Sequence, residues 1–530
     1  MLLVLLLIST GSSFGQVSVT TFHNDSSRTG ANLNETILNT SNVKTGQFGK
    51  LFSRSVDGII WTQPLYVPNV SIPGQGLHNV VYVATEHNNV YAFDADDPAA
   101  GIPLWRVNLG PPVPPSPKDD TLGITATPVI DLSRNRLYVV AKTYEYGKII
   151  FRLHALELTT GTHQSGPVAI QGSVRGTAPG NRDGVLSFDP AWVTQRAGLL
   201  LLDSNIYIAF AAYAESQPLY HGWIFVYNGA TLNQVAILCV TPNAYGGGVW
   251  QAGSGLAADA NSNIYFQTGN GVMDAHRSGA NFGDSLVKAI TKPGLGIVDY
   301  FSPSNQPDLE AADADFGSGG PLLIPGTSLG VTGGKDGKLF LFDTNNLGQF
   351  HDTNRVVQEW QATYSILTTG AGGIFGGNVY YNNTLYVWGR RDALKAFKFT
   401  GSSFDTTPAS QSSFTITDGY SNEPGMSISA NGAIRGTGIL WAVVATEWDD
   451  NTYYGPGILY AFDAADLKKE LWNSNLNKRR NYSGSYARWI PPTIANGKVY
   501  LATFDNLLNV YGLLPRGNLQ IDTDSGERLE

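Results

Sequence analysis

The stretch "VVYVATEHNNVYAFDADDPAAGIPLW" (Val80 to Trp105) decides the fold. It reads as an alternating strand, a short polar turn and a second strand, "VYAFDA". Another turn follows, then an outer strand that carries a tryptophan. Alternation with a period of two marks strands with one face turned to a core. Near the end of the chain "GILYAFDAADLKKELW" (Gly457 to Trp472) repeats the pattern. "RLHALELTTG" from Arg152, "WIFVYNGATL" from Trp223 and "KLFLFDTNNLG" from Lys338 repeat it more loosely.

Working outward, each copy follows a short strand that ends in a turn. These strands begin at Thr62, Thr125, Gly198, Gly255, Gly320, Gly377, Met426 and Pro491, which makes eight units. They stand roughly 50 to 70 residues apart, longer than the about 40–50 residues of the shortest propeller repeats, and the excess falls in loops. Four antiparallel strands cannot bury both faces alone, so such units stack radially as blades. The last unit runs out of chain after "LLNVYGLLP" (Leu507 to Pro515), while "FGKLFSRSV" (Phe48 to Val56) is a strand without a unit of its own. Pairing the two closes the ring and covers two edges that would otherwise be open. The expected fold is all-β: a single eight-bladed β-propeller of four-stranded antiparallel blades, closed by an N-terminal strand paired with the last blade. A seven-bladed ring with one misread unit is the alternative.

The expected organisation is a signal peptide over 1–15, an extended segment over 16–47, the propeller over 48–515 and a tail over 516–530. "MLLVLLLISTGSSFGQ" is an apolar run ending in small residues, although it lacks a basic start. The expected location is therefore secreted or periplasmic, with no membrane span left after cleavage. The chain has 530 residues, 60 of them Gly and 25 Tyr, and only 15% are charged, which suits short strands and tight turns. A net charge of -9 excludes the basic surface of a nucleic-acid binder. Cys239 is the one cysteine, so no disulfide forms within the chain. Asn24, Asn34, Asn39, Asn69, Asn382 and Asn481 begin glycosylation sequons that matter only in a glycosylating host.

The outer-strand signature, an Ala or Phe before Asp, a turn and then Trp, resembles the propeller repeat of the pyrroloquinoline quinone (PQQ) quinoprotein dehydrogenases. The resemblance covers nearly the whole mature chain as architecture and is good in about half of the blades. It implies a site at the channel mouth, on the face where the second and third strands of each blade connect. Turn residues there read Glu86, His87, Lys142, Glu215, Asn270, Lys335, Asp336, Arg390, Arg391, Glu447 and Asp505.

Several positions match family motifs. "GGKDGKLFLFD" resembles the turn whose basic residue contacts the quinone carbonyls, which puts Lys335 in that role. A fixed cation there stabilises negative charge developing on the quinone oxygen. "NIYFQTGNG" resembles the turn whose Asn supplies an oxygen to calcium, here Asn270. "GGGVWQAGSG" resembles the loop whose tryptophan lies beneath the cofactor, here Trp250. Glu215 takes the place of a second calcium ligand, and Asp313 or Asp315 that of the catalytic base.

The departures are specific. The family's "TPHD" reads "SPSN" here (Ser302 to Asn305), and His221 stands where the family has Arg. One cysteine cannot make the vicinal disulfide of some members. Without a haem-attachment motif, the electron acceptor would be separate from this chain. Two readings follow: an exported PQQ- and calcium-dependent dehydrogenase acting on an alcohol or sugar, or a binding or scaffold propeller without cofactor. The tyrosine-rich loops "AAYAESQPLYHGW" and "WDDNTYYGPG" would suit stacking on sugar rings or packing at blade edges.

Overall fold

A computed structural model of the chain describes residues 17–115, 122–212, 219–416, 423–445 and 455–515. The signal-peptide region, the C-terminal tail, Glu215 and Glu447 lie outside them. Eight antiparallel sheets follow one another around a central channel. Blades 1 to 7 span 65–108, 129–169, 193–239, 257–301, 322–361, 379–411 and 425–473. Blade 8 takes three strands from 493–513 and its outer strand, Phe48–Ser55, from the other end of the chain. The eight-bladed reading and the closure both hold, and the seven-bladed alternative falls.

The repeat motif has physical causes. In "AFDA" the aspartate caps the turn after the third strand: Asp94 accepts from the backbone N–H groups of Asp96 and Asp97, both at 2.7 Å. Asp343 and Asp463 repeat this cap with Asn345 and Ala465. The outer-strand tryptophan docks on the next blade, since Trp105 Nε1 donates to the Leu158 carbonyl at 2.9 Å. Its ring lies on Gly161, whose φ of +69° and lack of a side chain are both needed, because a Cβ would fall 2.5 Å from the ring. The closing strand is held in the same way. Phe48 packs on Trp441 and Trp472, with centroids 5.3 and 5.0 Å away, and buried Arg54 donates to the Asp94 carbonyl of blade 1.

The segment from Val17 to Glu35 follows a course that strand patterns do not predict, because it contains almost no regular structure. It circles inside the channel and bonds to the inner strands. Val19 bridges Tyr66 of blade 1, and Thr20 accepts from Ile130 of blade 2. Ser26, Ser27 and Thr29 accept from Ala258, Leu323 and Tyr380 of blades 4, 5 and 6. Ala31–Asn32 adds a short parallel strand to blade 7, and the Asn32 amide donates to Ile494 of blade 8. Arg28, fully buried, pins this girdle to the Leu256 carbonyl and to its own Thr21 and Phe22.

Candidate functional site

The opposite end of the channel carries the residues singled out from the sequence. Trp250 closes the connection from blade 3 to blade 4, just before a single turn of 3-10 helix, Gln251–Gly253. Asn270 lies in the connection between the second and third strands of blade 4, and Lys335 in the corresponding turn of blade 5. Asp313 and Asp315 follow the short helix Gln306–Ala311 on the way from blade 4 to blade 5.

These separate connections meet. Lys335 Nζ lies 2.5 Å from Asp315 Oδ2 and 3.2 Å from Asp313 Oδ1, and donates to the Asp313 carbonyl at 2.9 Å. Asp315 Oδ1 accepts from the Asn270 backbone N–H at 2.9 Å, and Asn270 Nδ2 donates to Asp313 Oδ1 at 2.7 Å. The Lys335 ammonium stands 5.9 Å from the centre of the Trp250 ring. Gly269, in the "TGN" turn, allows this approach: a Cβ there would fall 2.3 Å from Asp315 Oδ1. Gln251, Ala252, Asp313 and Trp489 all hold positive φ, a conformation costly for side chains with a Cβ and one that clusters at functional sites.

The two candidate aspartates separate by environment. The Asp315 side chain is 2% exposed and lines a mouth cavity of ≈ 180 Å³, whereas that of Asp313 is 63% exposed and lies outside the lining. Behind Asp315 sits Asp284, which accepts from the Phe316 backbone and from Gln306. Burial and then the charge of Asp315 hold the Asp284 carboxyl well above the usual carboxylate range.

Sequence reasoning missed half of the lip. Arg196, Phe375 and Trp489 come from the connections that lead into blades 3, 6 and 8. The Arg196 guanidinium lies 4.8 Å from the Trp61 ring and 5.4 Å from that of Trp489. It donates to the carbonyls of Trp61, Thr125 and Arg488, so it ties three connections across the channel. Burial lowers it to about 9. Trp489 meets Trp250 edge to face at 5.6 Å, and Phe375 stacks parallel to Trp489 at 6.4 Å. A common signal did exist: an aromatic or arginine stands just before the Gly or Pro turn that leads into an inner strand, as in "WTQP", "RAG", "WQAG", "FGG" and "WIPP".

The ring of mouth charges needs correcting in detail. Glu86, Lys142, Lys335 and Arg390 are buried rather than solvated. Lys142 belongs to the strand Arg136–Glu145, not to a turn, and its ammonium reaches the Val193 carbonyl at 3.1 Å. The alternating strand simply runs three residues further than its polar end suggests. Arg390 and Arg488 share the buried carboxylate of Glu423.

Arg196 supplies a cation and Trp250 and Trp489 an aromatic wall to the cavity lining, which suit a flat, anionic aromatic ligand; Lys335 pairs with Asp315 and is not itself part of the lining. Two orphaned polar atoms point the same way, since buried Trp250 Nε1 and Asn270 Oδ1 have no hydrogen-bond partner. A calcium cage is less complete: among the described residues no group of three or more acidic, histidine or cysteine side chains could hold a metal ion.

No family model matches the chain, and no curated protein sequence matches it. Solved structures do. A quinohaemoprotein alcohol dehydrogenase from Comamonas testosteroni superposes with a TM-score of 0.56 at 12% identity, covering 93% of this chain and 80% of that one. A europium-containing methanol dehydrogenase gives a TM-score of 0.48 at 13% identity, covering 91% and 81%. The first likeness is one of fold, the β-propeller.

Proposed function

We propose that the channel mouth binds pyrroloquinoline quinone and that the protein oxidises an alcohol or sugar there, outside the cytoplasm. The observation that carries this reading is the meeting of Trp250, Asn270, Asp315 and Lys335. Four separate connections bring them together at the channel mouth, with Trp250 and Asp315 lining the cavity and Asn270 and Lys335 bonded to Asp315, and the sequence motifs assign each of them a different part of the same chemistry. Trp250 and Trp489 offer the faces for a planar ring system and Arg196 a charge for its carboxylates, while Lys335, paired with Asp315 and 5.9 Å from the centre of the Trp250 ring, would turn its charge to the quinone oxygens. Bound there, the quinone would supply the two-electron oxidising capacity that no side chain of this chain has.

The rest is the work of the protein's own groups. Asp315, whose carboxylate lines the cavity, takes the proton from the substrate hydroxyl; Asp313, turned out to solvent, orients Asn270 and Lys335. Lys335 holds Asp315 in place and presents positive charge where negative charge develops. Asn270 Oδ1, the orphaned oxygen, would ligate calcium, with Glu215 as the second protein ligand and other oxygens completing the shell.

A second reading, a binding propeller without cofactor, has one observation in its favour: the Lys335 ammonium is already satisfied by Asp313 and Asp315. Calorimetry of the purified protein with PQQ, with and without calcium, separates the two. Binding that Trp250→Ala abolishes and calcium strengthens supports the dehydrogenase reading. No heat of binding and no thermal stabilisation at saturating PQQ would leave the binding-propeller reading standing.

A further inference from the structure

Outside the eight blades the described residues contain one extra β-hairpin, Ser173–Arg175 paired with Val185–Ser187, in the connection from blade 2 to blade 3. It is not a loose excursion. Ala178 donates its N–H to the Pro242 carbonyl at 3.1 Å, and Thr177 donates its N–H to Asn243 Oδ1 at 3.1 Å. His221, from the blade beneath, reaches the Pro179 carbonyl through Nε2 at 3.3 Å. The hairpin therefore roofs blade 3 at a fixed height.

Between roof and blade lies a groove of ≈ 360 Å³, twice the mouth cavity and within the size range of small-molecule sites. Trp192 forms its aromatic side, half-buried, at the end of a one-turn helix capped by Asp189. Leu219 and Val185 add exposed apolar surface. Arg182 and Asp189 add exposed polar heads, and buried His221 forms part of the floor. A flat indole beside apolar patches, fringed by hydrogen-bonding groups of both kinds, matches a pyranose ring. Such a ring has an apolar C–H face and hydroxyls around its edge.

The groove is also joined to the mouth. Val193 and His221 face the groove, while their chain neighbours Thr194 and Tyr220 line the mouth cavity. Thr194 lies in the short strand Val193–Thr194, which pairs with Ala211 and Ala212. A single strand and the start of the next one form the wall between the two sites. The two sites are thus separated by the thickness of one strand.

From this juxtaposition we infer that the groove beneath the hairpin is a sugar subsite, and that the substrate is an oligosaccharide or glycoside rather than a small alcohol. The inference deepens the dehydrogenase reading and rests on it only for the fate of the ring in the mouth. The test is calorimetry with cellobiose, maltose and lactose, and with glucose as the single-ring control, on the wild type, Trp192→Ala and Arg182→Ala. The expected result is a disaccharide bound roughly tenfold or more tighter than glucose, with most of that advantage lost in Trp192→Ala, as for a buried aromatic anchor. Arg182 is exposed, so Arg182→Ala tests the groove without risk to folding; it should lower disaccharide affinity and leave glucose unchanged. PQQ binding should be unaffected in both variants. If disaccharide preference and its dependence on Trp192 persist while PQQ does not bind, the groove stands and the dehydrogenase reading falls. If none of the three disaccharides binds more tightly than glucose, or both variants bind them as the wild type does, the inference is overturned.

Discussion

Replacing Lys335 by methionine removes the cation from a carboxylate that has little else. Asp315 is 2% exposed and Lys335 11%, so solvent screens the pair weakly. After Lys335→Met, Asp315 Oδ1 keeps the Asn270 N–H, but Oδ2 loses its 2.5 Å partner while the buried carboxyl of Asp284 still feels its charge. Breaking a buried ion pair from one side costs about 3–5 kcal/mol, because the remaining charge is uncompensated. The 3.2 Å contact to exposed Asp313 adds little, at most about 1 kcal/mol. Removing the charge as well, in Lys335→Met/Asp315→Asn, keeps an oxygen for the Asn270 N–H and should recover at least about 2 kcal/mol as a coupling energy. The assay is urea denaturation followed by tryptophan fluorescence on the wild type, both single variants and the double variant. If Lys335→Met costs less than about 1 kcal/mol, or the double variant is as unstable as the sum of the singles, the pair is not the buried unit described here.

Other consequences can be measured with the same material. Phe48→Ala should cost about 3–5 kcal/mol, because a fully buried aromatic that locks the closing strand onto Trp441 and Trp472 is lost; a shift in the urea midpoint no larger than that of a surface control would refute it. Gly161→Ala should cost more than about 1 kcal/mol through its positive φ and its clash with Trp105, visible as a lower Tm. Burial lowers His23 to about 4 from an ordinary value of 6.5, so between these values the unfolded chain binds the extra proton. Stability should therefore rise with pH across that window and be lost as pH falls through it, by up to about 3 kcal/mol, and His23→Gln should flatten the slope.

The blades were legible because their strands alternate strictly and because Asp94, Asp343 and Asp463 cap a recurring turn that needs an acceptor at that place. Even the closing strand could be read, since Phe48–Ser55 has strand character but no neighbours in sequence to pair with. The site was legible only where local motifs carry it, at Trp250, Asn270 and Lys335. Arg196, Phe375 and Trp489 each sit alone in a connection of different length and composition, and only the ring brings them together. Asp313 and Asp315 could not be told apart along the chain, because one turn of backbone sends one carboxylate into the cavity and the other to water. Lys142 was misplaced because a lysine inside a strand reads as the start of a polar turn, whereas its long side chain reaches the Val193 carbonyl instead of water.

The girdle from Val17 to Glu35 sets the order in which this molecule can be completed. Its first described residue, Val17, donates to Asn496 Oδ1, 479 positions away, and its bonds reach seven of the eight inner strands. The part of the domain that leaves the ribosome early thus has no complete seat until the last blade exists. Contacts of such sequence separation form late and slowly. Interactions made only after the folding barrier lower the escape rate from the native state rather than speed its formation. The girdle therefore acts as a kinetic latch: the ring opens only when both ends of the chain let go together.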